Sequence, residues 1–234
     1  QWSDVYRTRL QASQSDSQYV SRPKFYGTET QLRNYLFQND WRLGAHLLTA
    51  ALERREDELH NPATLFAPDL KRDRSQNALA LGYGFNHGGH SLQANLRRDD
   101  DSEFGGKSTG SLSYGYAITP QWRVTAAGGT SFRAPTLYQR FSEYGAPSLQ
   151  PEKGRNIELG TRWTQGSSSV GLVAYRNRVS NLINFGAAGP CASAFGCYEN
   201  VGRAEYKGIT LSASQRVAGV SLRGSMDWQN PHDL

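Results

Sequence analysis

Three groups of side chains have types that could do chemistry. Asp99-Asp100-Asp101-Ser102-Glu103 gathers the hard oxygen donors that calcium prefers. No glycine-centred coordination spacing surrounds it, so it reads as a solvated loop. His87 and His90, in His-Gly-Gly-His, could pair on a metal, but they flank a tight turn and lack a nearby Cys, Asp or Glu ligand. Cys191 and Cys197 are the chain's two cysteines, close together, and suit one local disulfide in an oxidising compartment. No nucleophile–base pair and no phosphate-cradling loop is present. A binding or transport role is therefore expected rather than an enzyme, with no resident metal or cofactor.

Binding residues concentrate on loops held by a rigid scaffold. The aromatic and cationic candidates on the long connections are Phe66, Arg133, Tyr138, Arg140, Tyr144 and Phe195. Phe104 and Phe141 add further aromatic surface on the same connections.

The elements that must carry these loops are strands, because apolar residues alternate with polar or small ones. Leu79, Leu81, Tyr83 and Phe85 alternate with small residues, and Leu92, Ala94 and Leu96 with Gln93, Asn95 and Arg97. The same period recurs at Leu112–Ile118, Ile157–Trp163, Ile209–Ala213 and Val220–Trp228. Less regular strands fall near 2–13, 27–38, 41–56, 121–132 and 168–180, for about eleven in all. Many reach ten residues or more, which suits tilted membrane strands of ~9–11 residues better than globular strands of ~5–6. Short turns at Asn39-Asp40, Asn86–Gly89, Thr119-Pro120, Gln165-Gly166 and Ala218-Gly219 alternate with long loops near 14–26, 57–73, 99–107, 133–154 and 181–199. Outer-membrane barrels show this asymmetry, with short periplasmic turns and long external loops.

Composition agrees. Mean hydropathy is −0.65 and no apolar run is long enough for a membrane helix. Alternation hides barrel strands from such averages. The 24 glycines and 12 tyrosines suit a crowded wet lumen and membrane interfaces. The net charge of +5 raises nucleic acid as a partner, but the arginines are scattered without a basic stripe, and that partner is set aside. The fold expected is all-β: an antiparallel transmembrane β-barrel segment. Eleven is odd, and bacterial barrels close with an even number of strands. Residues 230–234 read as a loop. Residues 1–234 are therefore expected to be part of a larger barrel, cut at both ends.

Residues 128–160 carry Phe132-Arg133-Ala134-Pro135, then Ala146-Pro147-Ser148-Leu149, Pro151-Glu152 and Glu158-Leu159-Gly160. This run resembles the Phe-Arg-Ala-Pro, Asn-Pro-Asn-Leu, Pro-Glu and Glu-Leu-Gly series of TonB-dependent receptors, departing at the Asn positions of the second box. Arg97–Gly105 is similar to the Asp-rich, Phe-Gly loop of cobalamin receptors. Tyr175–Ile183 is similar to their Tyr-Arg-Asn-x-Val-Ser-Asp-Leu-Ile strand, and Tyr198–Ile209 to their Tyr-Asn-x-Gly-x-Ala-x-x-Lys-Gly segment. The resemblance covers essentially the whole chain.

The resemblance implies about 11 strands of a 22-strand barrel, with the N-terminal plug and final strands outside residues 1–234. It implies an outer-membrane receptor of a Gram-negative bacterium. The receptor would take up a scarce nutrient, most closely cobalamin, with energy from TonB delivered through the plug. Its partners would be a cobalamin-like ligand, TonB and outer-membrane lipid. Siderophore and haem receptors are the alternatives within the family. Haem receptors usually carry a histidine between the two boxes, and none lies between Phe132 and Leu149. A passive porin is the alternative from another class. The loop matching the calcium-holding loop of cobalamin receptors, at 16–26, has Asp16 as its one carboxylate, which argues against calcium.

Two structural expectations follow. Leu79, Leu81, Tyr83, Leu112, Tyr114, Tyr116, Ile157, Leu159 and Trp163 should face lipid. Gln93, Asn95, Arg97, Glu158, Arg162, Arg223 and Asp227 should face the lumen.

Overall fold

The computed structural model describes residues 2–22, 26–65 and 67–233. Its strands are β1 (Tyr6–Ser21), β2 (Tyr26–Leu43), β3 (His46–Asn61), β4 (Leu70–His87), β5 (His90–Asp101), β6 (Gly105–Ala117) and β7 (Trp122–Arg133). After one short helix, α1 (Leu137–Phe141), come β8 (Glu152–Gln165), β9 (Ser168–Phe185), β10 (Tyr198–Val217) and β11 (Val220–Asp233). All eleven strands lie in one antiparallel sheet, each beside its sequence neighbour. This is the up-and-down order of a barrel wall.

The register sorts side chains onto two faces, because directly opposed residues share a face. One face carries Leu52 opposite Leu79, Leu81 opposite Leu96, Ala94 opposite Leu112, and Ala126 opposite Leu159. It continues through Ala174 and Ile209 to Trp228. Every residue expected to face lipid falls on this face. The other face carries Thr49, Gly82, Asn95, Ser111, Gly129, Asn156 and Asn177 in one continuous row. Arg97, Glu158, Arg162, Arg223 and Asp227 share it, as expected.

The apolar face ends in an aromatic girdle at the short-turn side. Tyr6 stacks on Trp41, His46 on Tyr83, and His90 lies over Tyr116. His90 also hydrogen-bonds the Tyr114 hydroxyl at 2.6 Å. The two histidines of His-Gly-Gly-His thus belong to this girdle, and the turn itself is Gly88-Gly89, both with positive φ.

Three expectations about connections need correction. The β2–β3 turn is Gly44-Ala45, with Gly44 at φ 61°, and Asn39-Asp40 stays inside β2. Glycine adopts that left-handed backbone without strain, and moving the turn by five residues shifts each cross-strand partner by ten, which keeps the pleat parity. Asn39 instead accepts hydrogen bonds from Tyr6 Oη and Thr8 Oγ1. Second, residues 230–233 continue β11, with Pro231 opposite Tyr206. Backbone pairing with β10 carries the strand past the point where apolar alternation stops. Third, the long loops are shorter than expected, because strands of up to 20 residues climb through them. The acidic run is affected most: Asp99 and Asp101 are buried strand residues on the inner face, not a solvated loop.

Candidate ligand-binding site

The connection between β7 and β8, residues 134–151, folds over the inner face. Ala134 precedes a proline, which disfavours helix and stops β7. Thr136 then caps α1 in a capping box with Gln139, each side chain bonding the other's backbone N–H. The return is tight at Gly145, where a Cβ would lie 2.6 Å from the Arg140 carbonyl.

An ionic and hydrogen-bonded seat holds this loop. Arg74, 5% exposed, donates from Nη1 to the Pro135 carbonyl at 2.6 Å and from Nη2 to Asp57 at 2.5 Å. Its Nε lies 3.7 Å from Asp101. Asn61 donates to the Phe141 carbonyl at 2.7 Å, and the Glu143 N–H donates to Tyr26 Oη at 2.7 Å. Leu59, Leu137 and Leu149 are buried around these contacts. Lower on the same face, Asp99 accepts from Arg97 and Gln76, and Arg97 also donates to Glu53.

Two candidate arginines are engaged within the fold. Arg133 makes a bidentate pair with Glu152 at 2.5 and 2.7 Å, and Glu152 also accepts from the Ile183 N–H. The Phe-Arg-Ala-Pro and Pro-Glu boxes therefore clamp the two ends of one loop. Arg140 donates to Glu103 at 2.6 Å and to the Pro147 carbonyl, between the rings of Phe104 and Phe141.

Two of the aromatic candidates, Tyr138 and Tyr144, converge on a cluster. Tyr138 lies edge-on to Tyr19 and Tyr198, with centroids at 6.2 and 6.3 Å. Tyr144 meets Tyr19 and Phe185, and Phe185 meets Tyr198. Two ring contacts thus connect β1 to β10. In a flat sheet these strands would be about 43 Å apart, nine spacings of ~4.8 Å. The sheet is therefore curled, with this face concave. Burial, and then the neighbouring Tyr198, pushes the Tyr138 hydroxyl up to about 12. The hydrogen bond with Tyr19, and then burial, raises Tyr144. Both rings present neutral phenols.

Phe195 stands apart, 88% exposed, at the tip of the β9–β10 connection. That connection is closed by a Cys191–Cys197 disulfide, as expected. It is tied to the first loop by Ser193 N–H to the Glu143 carbonyl and Tyr198 N–H to the Tyr144 carbonyl. Phe66 lies outside the described residues.

The structure thus gathers Tyr138 and Tyr144 and commits Arg133 and Arg140 to the scaffold. The choice of loop residues alone missed Tyr19, Tyr26, Phe185 and Tyr198, which sit at strand ends. Parity would have found them. β1 turns even-numbered residues outward, so Tyr19 points in; β9 does the same, so Phe185 points in. β2 and β10 turn odd numbers outward, so Tyr26 and Tyr198 point in.

Known proteins share this architecture. A vitamin B12 transporter, BtuB, of Vibrio vulnificus is 25% identical over 240 residues, which are 98% of this chain and 38% of that protein. BtuB of Vibrio cholerae is 31% identical over 144 residues, 61% of this chain and 23% of that protein. The chain therefore spans less than half the length of these relatives. Among solved structures, the ferric enterobactin receptor PfeA of Pseudomonas aeruginosa aligns with a TM-score of 0.79 and 19% identity, over 98% of this chain and 41% of that one. The copper transporter OprC aligns with a TM-score of 0.77 and 15% identity, over 99% and 44%. At such identities these two show the fold alone. The family model for the TonB-dependent receptor-like β-barrel matches residues 1–233, and the chain belongs to that family.

Proposed function

We propose that the protein containing this chain is an outer-membrane receptor that imports a cobalamin-like ligand, with energy from TonB acting on a plug domain. The chain would supply about half of a wall of about 22 strands, the size that holds a plugged lumen. An open sheet leaves bare edges at β1 and β11, which the hydrocarbon of a membrane does not accommodate.

The observation that carries the ligand reading is the inner aromatic cluster. Tyr19, Tyr138, Tyr144, Phe185 and Tyr198 offer flat apolar surface and neutral hydroxyls under a folded-in loop. Arg133 and Arg140 are neutralised by Glu152 and Glu103. Such a surface suits a large, largely neutral macrocycle with peripheral amides. The relatives named for vitamin B12 transport agree.

A ferric-siderophore receptor is the second reading. Arg72 favours it: it shares the inner face with Leu59, stacks 5.2 Å from the Phe141 ring, and makes no ion pair among the described residues. An anionic chelate would use that cation. Equilibrium binding to the purified full-length receptor in detergent separates the two. Micromolar or tighter affinity for cyanocobalamin, on the order of −8 kcal/mol, supports the first reading. Tight binding of a ferric catecholate with none of cyanocobalamin overturns it.

A further inference from the structure

The outward face changes character at one level. On β2, β3, β5, β8, β9 and β10 the first outward residue above the apolar stretch is basic: Arg33, Arg54, Arg98, Arg155, Arg176 and Lys207. On β2 and β3 outward carboxylates answer these charges, with Arg33 on Glu58 at 3.1 Å and Arg54 on Glu56 at 2.7 Å. Across β8–β10 the balance is different. Among the described residues, Lys153, Arg155, Arg176, Arg178, Arg203 and Lys207 share the outer face with Glu205, and a second outward carboxylate, Glu199, stands higher, opposite Asn184.

Glu205 is 3% exposed and binds Nε of both Arg176 and Arg178, at 3.0 and 2.7 Å. It fixes two guanidiniums while their side chains stay about half exposed, at 51% and 53%. Lys153, Arg155, Arg203 and Lys207 make no ion pair among the described residues. Beside this patch the wall opens. The β6–β7 ladder ends at Ser111 opposite Gly129, where Thr130 Oγ1 accepts the Gly110 N–H in place of a backbone carbonyl. Above that point is a groove of about 660 Å³, bordered by Ser108, Thr130 and Phe132 and by Lys153, Arg155, Arg178 and Arg203. Directly below lie Ile157 at 62% exposure, Leu159 at 61% and Ile209 at 45%.

A soluble partner would meet the bases but not this apolar floor. A lipid meets both, because its acyl chains cover the floor while its headgroup stands at the basic level. Guanidinium forks match phosphate oxygens in paired hydrogen bonds, and basic groups at a membrane surface attract anionic headgroups. We propose that the outward patch of β8–β10 and the β6–β7 groove bind the phosphorylated headgroup of an outer-leaflet glycolipid. This rests on the outer-membrane reading of the chain.

The test uses the full-length receptor in nanodiscs of zwitterionic phosphatidylcholine, titrated with a diphosphorylated glucosamine lipid and with the same lipid stripped of phosphate. Incorporation into the discs as a folded barrel checks the membrane reading separately. The wild type should bind the phosphorylated lipid at least about tenfold more tightly than the stripped one. The triple variant Arg155→Gln, Arg178→Gln, Arg203→Gln should weaken that binding by on the order of 100-fold, about fivefold per charge. The lysine variants Arg155→Lys, Arg178→Lys, Arg203→Lys should keep most of it. Equal affinity for the two lipids, unchanged binding in the glutamine variant, or equally tight capture of inorganic phosphate would each overturn the proposal.

Discussion

Placing a charge at Leu159 tests the assignment of the two faces in energetic terms. Leu159 is 61% exposed on the apolar face, opposite Ala126 and Ala174. It lies four residues above Trp163, which pairs with Trp122 at the lower girdle. At ~3.3 Å per residue and a tilt near 40°, that is about 10 Å above the girdle, close to the middle of a band ~25 Å tall. Leu159→Arg should therefore cost ~2–4 kcal/mol, the midplane value for a base facing lipid. Its chain neighbour Glu158 lies on the inner face, opposite Ala127 and Tyr175. Glu158→Arg should cost less than about 1 kcal/mol, because a wet lumen solvates either charge. Reversible urea unfolding of the full-length receptor in lipid vesicles reads both. Equal costs, or a larger cost for Glu158→Arg, would refute the facing and the register that supports it.

Three further perturbations probe the loop and its seat. Arg74→Met leaves Asp57 and Asp101 buried without their shared base and removes the donor to Pro135; it should cost ~3–5 kcal/mol and open 134–151 to limited proteolysis. Protection of that loop at the wild-type level would contradict the seat. Cys191→Ser with Cys197→Ser opens a small loop and should cost ~2–3 kcal/mol on the loop-closure account. Hydrogen exchange should rise across 186–197 and not in the strands, so a global rise would count against a local brace. Tyr138 is neutral in the folded loop until about 12, against an ordinary value of 10.0. Its contribution is thus full below pH 10 and is lost as pH rises through about 12, because the unfolded loop ionises first. Loop exchange rates should climb across that window, and Tyr138→Phe should flatten the climb; an unchanged profile in the variant would refute the assignment.

Sequence patterning revealed the strands where one face is apolar and went silent where it is not. Leu79–Phe85 and Ile157–Trp163 alternate because lipid selects every second residue. Above that band both faces are polar, yet β4 still begins at Leu70 and β10 runs from Tyr198, since backbone pairing continues without an apolar face. The alternation therefore stops short of Asp99 and Asp101, whose acidic run reads as loop in the sequence. At Asn39-Asp40 a local turn signal lost to Gly44, whose positive φ closes the hairpin. The loop boxes were legible as motifs, but not as partners: nothing local links Arg133 to Glu152 or Arg74 to Pro135. The aromatic cluster was half legible. Tyr138 and Tyr144 stood out on a loop, while Tyr19 and Tyr198 required the parity of their strands to be carried beyond the membrane.

In the proposed receptor, loop 134–151 and the inner strand ends would form one aromatic surface for a cobalamin-like macrocycle. The most direct test is cyanocobalamin affinity of the full-length receptor beside variants that remove single rings. Tyr138→Ala and Tyr198→Ala should each weaken binding by about tenfold or more, as loss of a buried aromatic anchor does, while Tyr206→Ala, lower on the inner wall opposite Asn177, changes it little. Unchanged affinity in both Tyr138→Ala and Tyr198→Ala, with the barrel intact, would contradict the account.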